Sequence, residues 1–201
     1  GWVQERLASL VGRPLFWVVA MGLLAGVPLV SGLLRRPPPP PPVLATLPPF
    51  TLSAPSGEPI DREALAGRAW VVGFVDLGCV ACAERLTGAL ERLQYRLRNV
   101  GPTAGLLAVG VGGASPAVDL ALEAARHHAN PRQWRVALGP GAAGLLAAVR
   151  SAVPARAAML DAAGAVVLVD GAGRVRAVEA IETREGADRL MAQMTLLLNV
   201  R

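Results

Sequence analysis

The sequence has 201 residues, of which 53% are hydrophobic and 17% are charged, so it can form a hydrophobic core and is not disordered throughout. Its length fits one globular domain together with a further segment. The 20 basic residues are all arginine and give a net charge of +5, but they form no basic stripe, and aromatic residues are only 4% of the chain, which argues against a nucleic-acid-binding protein.

An uncharged apolar run, LFWVVAMGLLAGVPLVSGLL, occupies residues 15–34. About 20 helical residues match the ~30 Å hydrocarbon core of a bilayer. Arg6 and Arg13 precede the run and Arg35 and Arg36 follow it, so the count of positive charges is tied and leaves the orientation open. A cleaved signal peptide is the alternative, but its apolar core is usually ~7–15 residues long, and no A-x-A site follows this run. We therefore predict a retained single-pass anchor that contacts membrane lipid and is preceded by a short N-terminal segment, residues 1–14.

Proline dominates the stretch that follows the apolar run. Residues 37–42 are consecutive prolines, which favour the stiff polyproline II helix and extend ~19 Å at ~3.1 Å per residue. A ligand for a proline-binding module is the alternative, but the run lies directly beside the predicted membrane span. We therefore interpret residues 35–48 as a spacer that projects the following domain, residues 49–201, from the bilayer.

Strand and helix patterns alternate from Phe50 onward. The predicted strands are FTLSA, AWVVGFVDL (residues 69–77), AGLLAVGVGG (residues 104–113) and WRVAL, followed by the hairpin AVVLVDGAGRVRAVEA with its turn at Asp170 to Gly173. Four helices are predicted. The first follows the second strand, and the second begins with Ser115 as N-cap and Pro116 in the first helical position. The third lies near residues 141–151, and the fourth closes the chain. This order predicts an α/β domain with a mixed central sheet flanked by helices.

The two cysteines of the chain, Cys79 and Cys82, lie where a predicted buried strand runs into a predicted amphipathic helix. This places Cys79 at the helix N-terminus, where unpaired N–H groups and the helix dipole favour a thiolate. Cys82 lies one turn further, close enough to form a disulfide with Cys79. A strand–CxxC–helix arrangement in an α/β domain is the thioredoxin-like redox signature, so we predict that both cysteines are catalytic.

Other interpretations of the cysteine pair remain open. A structural zinc site needs four ligands, and the adjacent His127 and His128 are poorly placed to supply two of them. A purely structural disulfide across so short a loop stabilises little, because its effect grows with loop length. Cu(I) binding is the stronger alternative, since two thiolates suit this soft ion, and Cys79 and Cys82 are therefore also candidate copper ligands. The redox interpretation itself requires no cofactor.

The order of these segments resembles the Sco/SenC family of membrane-tethered thioredoxin-fold proteins. The similar parts are the anchor, the proline-rich spacer, LPPFTLSAPSGEPIDREALAGRAWVVGFVDLGCVACAERLTGALERLQYRLRN, HHANPRQWRVALG and VVLVDGAGRV, and together they span roughly residues 14–198. The resemblance implies a thioredoxin-like fold with either copper binding for assembly of the Cu(A) centre of cytochrome c oxidase or thiol–disulfide reduction in the bacterial periplasm. It also implies a cytoplasmic N-terminus and a domain on the periplasmic, extracytoplasmic side of the cell membrane.

The chain departs from this family at its candidate site. The family has C-x-x-x-C with neighbouring prolines, whereas this chain has Cys79-Val80-Ala81-Cys82. The family's copper-binding histidine lies about eight residues before the aspartate of the hairpin turn, a position that corresponds here to Ala162. Met159 and Asp161 are the nearby residues that can substitute as a ligand. Thioredoxin relatives usually carry a cis-proline that faces the disulfide, and Gly164-Ala165 stand at about that position.

Polar residues outside the cysteine pair are weaker candidates. Asp76, three residues before Cys79, is a candidate catalytic residue that can influence thiolate formation or relay a proton, although a polar residue that simply ends a strand is the favoured interpretation. His127 and His128 lie near the C-terminal end of a predicted helix, where cations suit the helix dipole. We expect a surface or capping role for both histidines.

These observations predict a membrane-anchored, outward-facing protein whose Cys79–Cys82 pair exchanges disulfides with a partner protein. The family resemblance suggests a cytochrome c oxidase subunit, through its Cu(A) cysteine pair, or a copper chaperone as that partner. One alternative is a Cu(I)-binding copper chaperone without redox catalysis. Another is a divergent family member that serves as an accessory subunit of a respiratory membrane complex.

Overall fold

The structure is a computed structural model of the chain. It describes residues 14–34, 38–112, 116–161 and 164–199, and of residues 28 and 31–34 it describes the backbone only. Of the segments named above, residues 1–13, 35–37, 113–115, 162–163 and 200–201 lie outside the described residues, and these include Ser115 and Ala162. The chain divides into two units, Gly1–Pro39 and Pro40–Arg201.

The first unit contains helix α1, Pro14–Leu34. Its 21 residues include no acidic or basic side chain. Several of its apolar side chains are exposed, among them Leu15, Leu24 and Leu29. Among the residues that the structure describes, no helix is apolar over a length sufficient to cross a membrane. Residues 15–34, the predicted anchor, thus form most of helix α1, but their insertion into a membrane stays a prediction.

The second unit alternates strands and helices in the predicted order. Its strands are β1 (Ala45–Thr46), β2 (Thr51–Ser53), β3 (Pro59–Asp61), β4 (Ala69–Asp76), β5 (Ala104–Val111), β6 (Trp134–Ala137), β7 (Ala165–Val169) and β8 (Arg174–Ala180). Its α-helices are α2 (Val80–Leu97), α3 (Leu120–Arg126), α4 (Gly141–Ala152) and α5 (Arg184–Leu198), and 3-10 helices cover Arg98–Thr103 and Pro154–Asp161.

Within the described residues, six strands form one sheet in the order β1-β8-β7-β4-β5-β6, and β2 pairs with β3 separately. β4 runs parallel to β5 and β5 parallel to β6, whereas β7 is antiparallel to both β4 and β8. β4 lies inside the sheet, which explains why its sequence AWVVGFVD is apolar almost throughout. The predicted α/β domain with a mixed central sheet is confirmed, and an inner strand of that sheet leads the chain to the cysteines.

Alternate side chains of β4 enter two hydrophobic clusters, one on each face of the sheet. Val71 packs in the cluster that α2, α3 and α5 cover, whereas Trp70 packs in the cluster that α4 and the β2–β3 pair cover. Gly73 lies beneath Leu86 of α2, and a Cβ at this glycine would stand 3.0 Å from Leu86 Cδ2. The helix that begins at the cysteines is therefore held close to β4.

Helix α3 begins later than its sequence pattern suggests. The prediction that it opens at Ser115, with Pro116 as the first helical residue, is wrong, because the helix starts at Leu120. Asp119 is its N-cap, and the Asp119 carboxylate accepts two backbone N–H groups at 3.0 Å. The two N–H groups just before Asp119 donate instead to the carbonyl oxygen of Leu77, at 2.9 and 3.1 Å. The residues after Pro116 thus form hydrogen bonds with the residue that follows β4, and they do not form a helical turn.

The residues before β2 lie along β8. Leu44 donates its N–H to the carbonyl oxygen of Val175 at 2.8 Å, and Arg176 Nη1 donates to the carbonyl oxygen of Pro41 at 2.8 Å. Strand β1 pairs with β8 immediately afterwards and covers its edge. The C-terminal part of the stretch predicted as a spacer is therefore hydrogen-bonded to the sheet.

A buried aspartate organises the hairpin turn between β7 and β8, which confirms the predicted turn at Asp170 to Gly173. Asp170 Oδ1 accepts the backbone N–H groups of Ala172 and Arg174 at 2.9 and 3.0 Å, and its Oδ2 accepts the guanidinium groups of Arg174 and Arg176, each at 2.8 Å. Burial raises the pKa of Asp170, but these hydrogen bonds, led by the Arg174 backbone N–H, outweigh burial and lower the pKa below its usual value. The turn therefore depends on an ionised Asp170.

Candidate functional site

Backbone hydrogen bonds define the turn that joins β4 to α2. Leu77 donates its N–H to the carbonyl oxygen of Val111 at 2.8 Å, which extends the pairing of β4 with β5. Gly78 then donates to Asp76 Oδ1 at 2.9 Å, and Cys79 donates to the carbonyl oxygen of Asp76 at 3.1 Å. This turn places Cys79 at the start of α2, as the sequence predicts.

Cys79 and Cys82 form a disulfide, and their Cα atoms are 5.2 Å apart. Cys79 is the N-cap of α2, because its backbone is extended and its Sγ accepts the N–H of Cys82 at 3.2 Å. Both cysteines are half-buried. A sulfur at this position faces the positive end of the helix dipole, so the thiolate of Cys79 is favoured once the disulfide is open.

The sequence analysis predicted neither Arg85, which lies beside Cys82, nor Glu182, which lies near Arg85. Nη2 of Arg85 is 3.9 Å from Cys82 Sγ, and Nε of Arg85 donates to the carbonyl oxygen of Ala81 at 3.3 Å. The same Nε lies 3.9 Å from Oε1 of Glu182, which follows β8. The position of Arg85 can be inferred from its spacing, because residues three apart on a helix are neighbours. No local pattern points to Glu182.

A cavity of about 410 Å³ opens beside Cys82. It is lined by Phe74, Val75, Asp76, Cys82, Leu86, Val111, Gly112, Leu146, Arg150, Leu160, Asp161 and Gly164. Arg150 and Asp161 form an ion pair within this lining. Gly164, at about the position of the cis-proline that is usual in thioredoxin relatives, has a φ of 85°, and the described residues contain no cis peptide bond. The cavity offers room for a partner segment next to the disulfide.

Asp76 has a structural function in the turn. Its side chain is exposed, and its Oδ1 accepts the N–H of Gly78 at 2.9 Å. It also lies close to Gly112, since a Cβ at that glycine would stand 3.4 Å from Asp76 Oδ1. The structure thus places Asp76 in the cavity that contains Cys82, while its catalytic role stays a prediction.

The two histidines lie at the C-terminal end of α3. His127 is the C-cap residue, with Nδ1 2.8 Å from Glu91 Oε2 and Nε2 3.5 Å from Glu123 Oε1. Nδ1 of His128 is 3.3 Å from Glu91 Oε1. The hydrogen bond with His127 is the main cause that lowers the pKa of Glu91. These contacts agree with the capping and surface role expected for both histidines.

The residues around the cysteines fit Cu(I) held by two thiolates and do not fit a three-ligand copper site. Within the described part of the chain, no three His, Cys, Asp or Glu side chains converge as metal ligands. Asp161 is paired with Arg150, and Met159 packs against the cluster on the α4 face of the sheet. Both sulfurs are joined in the disulfide, so the pair becomes a soft donor set only when Cys79 and Cys82 are reduced.

Solved structures of Sco/SenC proteins share this fold. A SCO1/SenC family lipoprotein from Bacillus anthracis has 14% sequence identity and a TM-score of 0.64, and the match covers 78% of this chain and 97% of that chain. BsSco, a member of the Sco family of cytochrome c oxidase assembly proteins in which a disulfide switch was identified, has 16% identity and a TM-score of 0.63 over 81% of this chain and 99% of its own. Yeast Sco1 with copper bound has 16% identity and a TM-score of 0.52, and the match covers 77% of this chain and 94% of yeast Sco1.

These similarities confirm the resemblance to Sco/SenC proteins at the level of the fold, which is thioredoxin-like. No protein-family model matches the sequence, and no curated protein matches it. Because one fold hosts many functions, the function must be argued from the residues of the site.

Proposed function

We propose that the chain is a membrane-anchored, extracytoplasmic, Sco-like protein that performs thiol–disulfide exchange through Cys79 and Cys82. The observation that carries this proposal is the disulfide at the N-terminus of α2, in which Cys79 Sγ is the N-cap acceptor and Cys82 faces a cavity. This arrangement supplies a nucleophile, a resolving cysteine and space for a partner.

The exchange conserves electrons and needs no bound cofactor. In the reduced chain the Cys79 thiolate attacks one sulfur of a partner disulfide, so that a bond forms between Cys79 and the partner while the second partner sulfur leaves as a thiolate. Cys82, as a thiolate, then attacks Cys79 Sγ, re-forms the Cys79–Cys82 disulfide and releases the first partner sulfur. The partner gains the two electrons that the cysteine pair loses. An external dithiol reduces the pair again by the reverse reaction.

The proposed location rests on the N-terminal sequence and on the resemblance to Sco/SenC proteins. Residues 15–34 form an uncharged run of about 20 residues, which is the length that the ~30 Å apolar core of a bilayer requires, although no helix among the described residues is apolar over a sufficient length. The membrane-tethered family that the chain resembles carries its domain outside the cytoplasm, which supports the same side for this domain. In this proposal residues 1–14 are cytoplasmic, and residues 35–48, whose C-terminal part pairs with β8, lead from the predicted membrane span into the exchange domain of residues 49–201.

Similar proteins suggest the kind of partner. BsSco belongs to a family of cytochrome c oxidase assembly proteins, and yeast Sco1 binds copper. The partner that we propose is therefore a protein with a cysteine pair of its own, either the Cu(A)-binding subunit of cytochrome c oxidase or a copper chaperone. Delivery of Cu(I) without redox catalysis is the second candidate function, because the reduced Cys79 and Cys82 are adjacent soft ligands.

Replacing Cys82 with serine is expected to trap the partner. Without Cys82 the mixed disulfide between Cys79 and the partner cannot be resolved within the chain, so it should accumulate. Membranes from cells that carry Cys82→Ser, alkylated at lysis, should contain a covalent adduct that a reductant dissociates, and mass spectrometry identifies its second component. The double variant Cys79→Ser, Cys82→Ser is the control and should give no adduct. Failure of the single variant to form any adduct would refute the exchange function.

A further inference from the structure

Arg85 and Glu182 meet beside Cys82 although they come from distant parts of the chain. Arg85 lies one turn after Cys82 on α2, and its Nη2 is 3.9 Å from the Cys82 sulfur. Glu182 follows β8, and its Oε1 is 3.9 Å from Arg85 Nε. The two side chains are 59% and 37% exposed, so water screens their charges in part. The guanidinium group of Arg85 therefore lies within 4 Å of both the Cys82 sulfur and the Glu182 carboxylate.

Gly164 leaves the space that Glu182 occupies. This glycine lines the cavity together with Cys82, and its φ of 85° lies in the left-handed region. A Cβ at Gly164 would stand 3.0 Å from Glu182 Oε1 and even nearer to the side-chain carbons of Glu182. The Glu182 side chain thus lies next to Gly164, at about the position where thioredoxin relatives usually carry a proline.

We propose that Arg85 stabilises the negative charge that forms on the Cys82 sulfur when the disulfide opens, and that Glu182 weakens this effect by competing for the guanidinium group. In that step an external thiolate attacks Cys79 Sγ and forms a new disulfide with it. The Cys79–Cys82 bond breaks, and Cys82 leaves with the electron pair as a thiolate. A nearby cation makes Cys82 a better leaving group. The inference rests on the proposed exchange function and adds the residues that tune the rate and potential of the pair.

Arg85 also has a structural contact, which the test must separate from its electrostatic effect. Its Nε donates to the carbonyl oxygen of Ala81 at 3.3 Å, within the first turns of α2. Arg85→Lys keeps the positive charge but not the planar fork of donors, whereas Arg85→Gln removes the charge. The electrostatic effect should follow the charge of the side chain.

The experiment measures the opening of the disulfide in the full oxidised chain. The readouts are the second-order rate constant with the neutral thiol 2-mercaptoethanol at low ionic strength and the midpoint potential in a dithiothreitol redox buffer. Arg85→Gln is expected to lower the rate about three- to tenfold and to make the potential more negative, because the Cys82 thiolate loses a nearby cation. Glu182→Gln is expected to raise the rate about twofold by releasing the guanidinium group, and Arg85→Lys should keep about half of the wild-type rate or more.

Arg92→Gln is the matched control, since Arg92 is an exposed arginine two turns further along the same face of α2. It changes the net charge equally and should leave both readouts unchanged, while the effect of Arg85→Gln should shrink at about 1 M salt. Equal rates for Arg85→Gln and Arg92→Gln would overturn the inference and leave the exchange function standing. So would an Arg85→Lys variant as slow as Arg85→Gln. A wild-type disulfide that excess thiol fails to open would instead refute the exchange function itself.

Discussion

Replacing Cys79 with serine should abolish disulfide exchange. In the proposed mechanism Cys79 is the nucleophile, because in the disulfide form its sulfur is the N-cap of α2 and accepts the N–H of Cys82 at 3.2 Å. A serine hydroxyl at this position remains protonated and does not attack disulfides. The rate at which the reduced chain reacts with bis(2-hydroxyethyl) disulfide should therefore fall at least ~100-fold, which quenched-flow alkylation measures directly.

Cys82→Ser is the control for this experiment. It should keep a first step close to the wild-type rate but stop at the mixed disulfide, and it should release one thiol where the wild-type chain releases two. The opposite pattern, in which Cys79→Ser reacts as fast as wild type and Cys82→Ser does not react, would reverse the assignment of nucleophile and resolving cysteine.

The second large effect is expected from Asp170→Asn, which acts on the fold. Asp170 is buried, and its Oδ2 lies 2.7 Å from Nη2 of Arg176, whose side chain is only 10% exposed. Asparagine presents an N–H₂ group where two guanidinium groups need an acceptor, so a nearly buried cation loses its partner. The free energy of unfolding should fall by ~3 kcal/mol in a urea titration followed by circular dichroism. Asp188→Asn is the control, because Asp188 is an exposed partner of Arg96, and its loss should be below ~1 kcal/mol.

The effect of Asp170→Asn should depend on pH with a definite sign. The pKa of Asp170 is lowered in the folded chain, so its ionised form contributes stability above the unfolded pKa of ~3.9 and loses that contribution as the pH falls through the folded pKa. The difference in unfolding free energy between wild type and variant should be constant above about pH 5 and should shrink below about pH 4. A difference that stays constant down to acid unfolding would show that charge is not the cause.

The cysteine turn and the hairpin turn are predictable from the sequence because they depend on local interactions. The apolar run of β4, the position of Cys79 just before α2 and the buried face of Leu86 follow from residues close together in the chain. The turn around Asp170 uses backbone groups within four residues of it. Arg85 belongs to the same class, since its position beside Cys82 follows from helical spacing.

The rest of the site depends on contacts between distant elements. Glu182 reaches Arg85 because β8 pairs with β7 and β7 with β4, and no pattern near residue 182 reports that arrangement. The start of α3 was predicted wrongly for the same reason. Ser115 and Asp119 are both residue types that favour an N-cap. The helix begins after Asp119 because the N–H groups of the two residues before it donate to the carbonyl oxygen of Leu77, which directly follows β4.

The absence of the copper-binding histidine distinguishes this chain from the Sco/SenC pattern more clearly than the spacing of its cysteines does. Of the residues that were candidates to replace the family histidine, Asp161 is paired with Arg150, and the partly buried Met159 packs against the core cluster on the α4 face of the sheet. The cysteines, in contrast, keep the position at the helix N-terminus that disulfide exchange requires. We therefore favour the interpretation of Cys79-Val80-Ala81-Cys82 as a redox-active cysteine pair over its interpretation as a Cu(I)-binding site.

The state of this cysteine pair in the chain's own membrane tests that interpretation most directly. The full chain is isolated from its membrane without oxygen, and its copper content is measured on one portion that has not been alkylated. The thiol state of the cysteine pair is measured by mass spectrometry on a second portion of the same membranes that was alkylated at lysis. The redox interpretation predicts copper far below one equivalent and a Cys79–Cys82 pair that changes between disulfide and dithiol when the membranes are treated with oxidant or thiol. Stoichiometric copper on a pair that stays reduced under both treatments would contradict it and would establish Cu(I) delivery as the function.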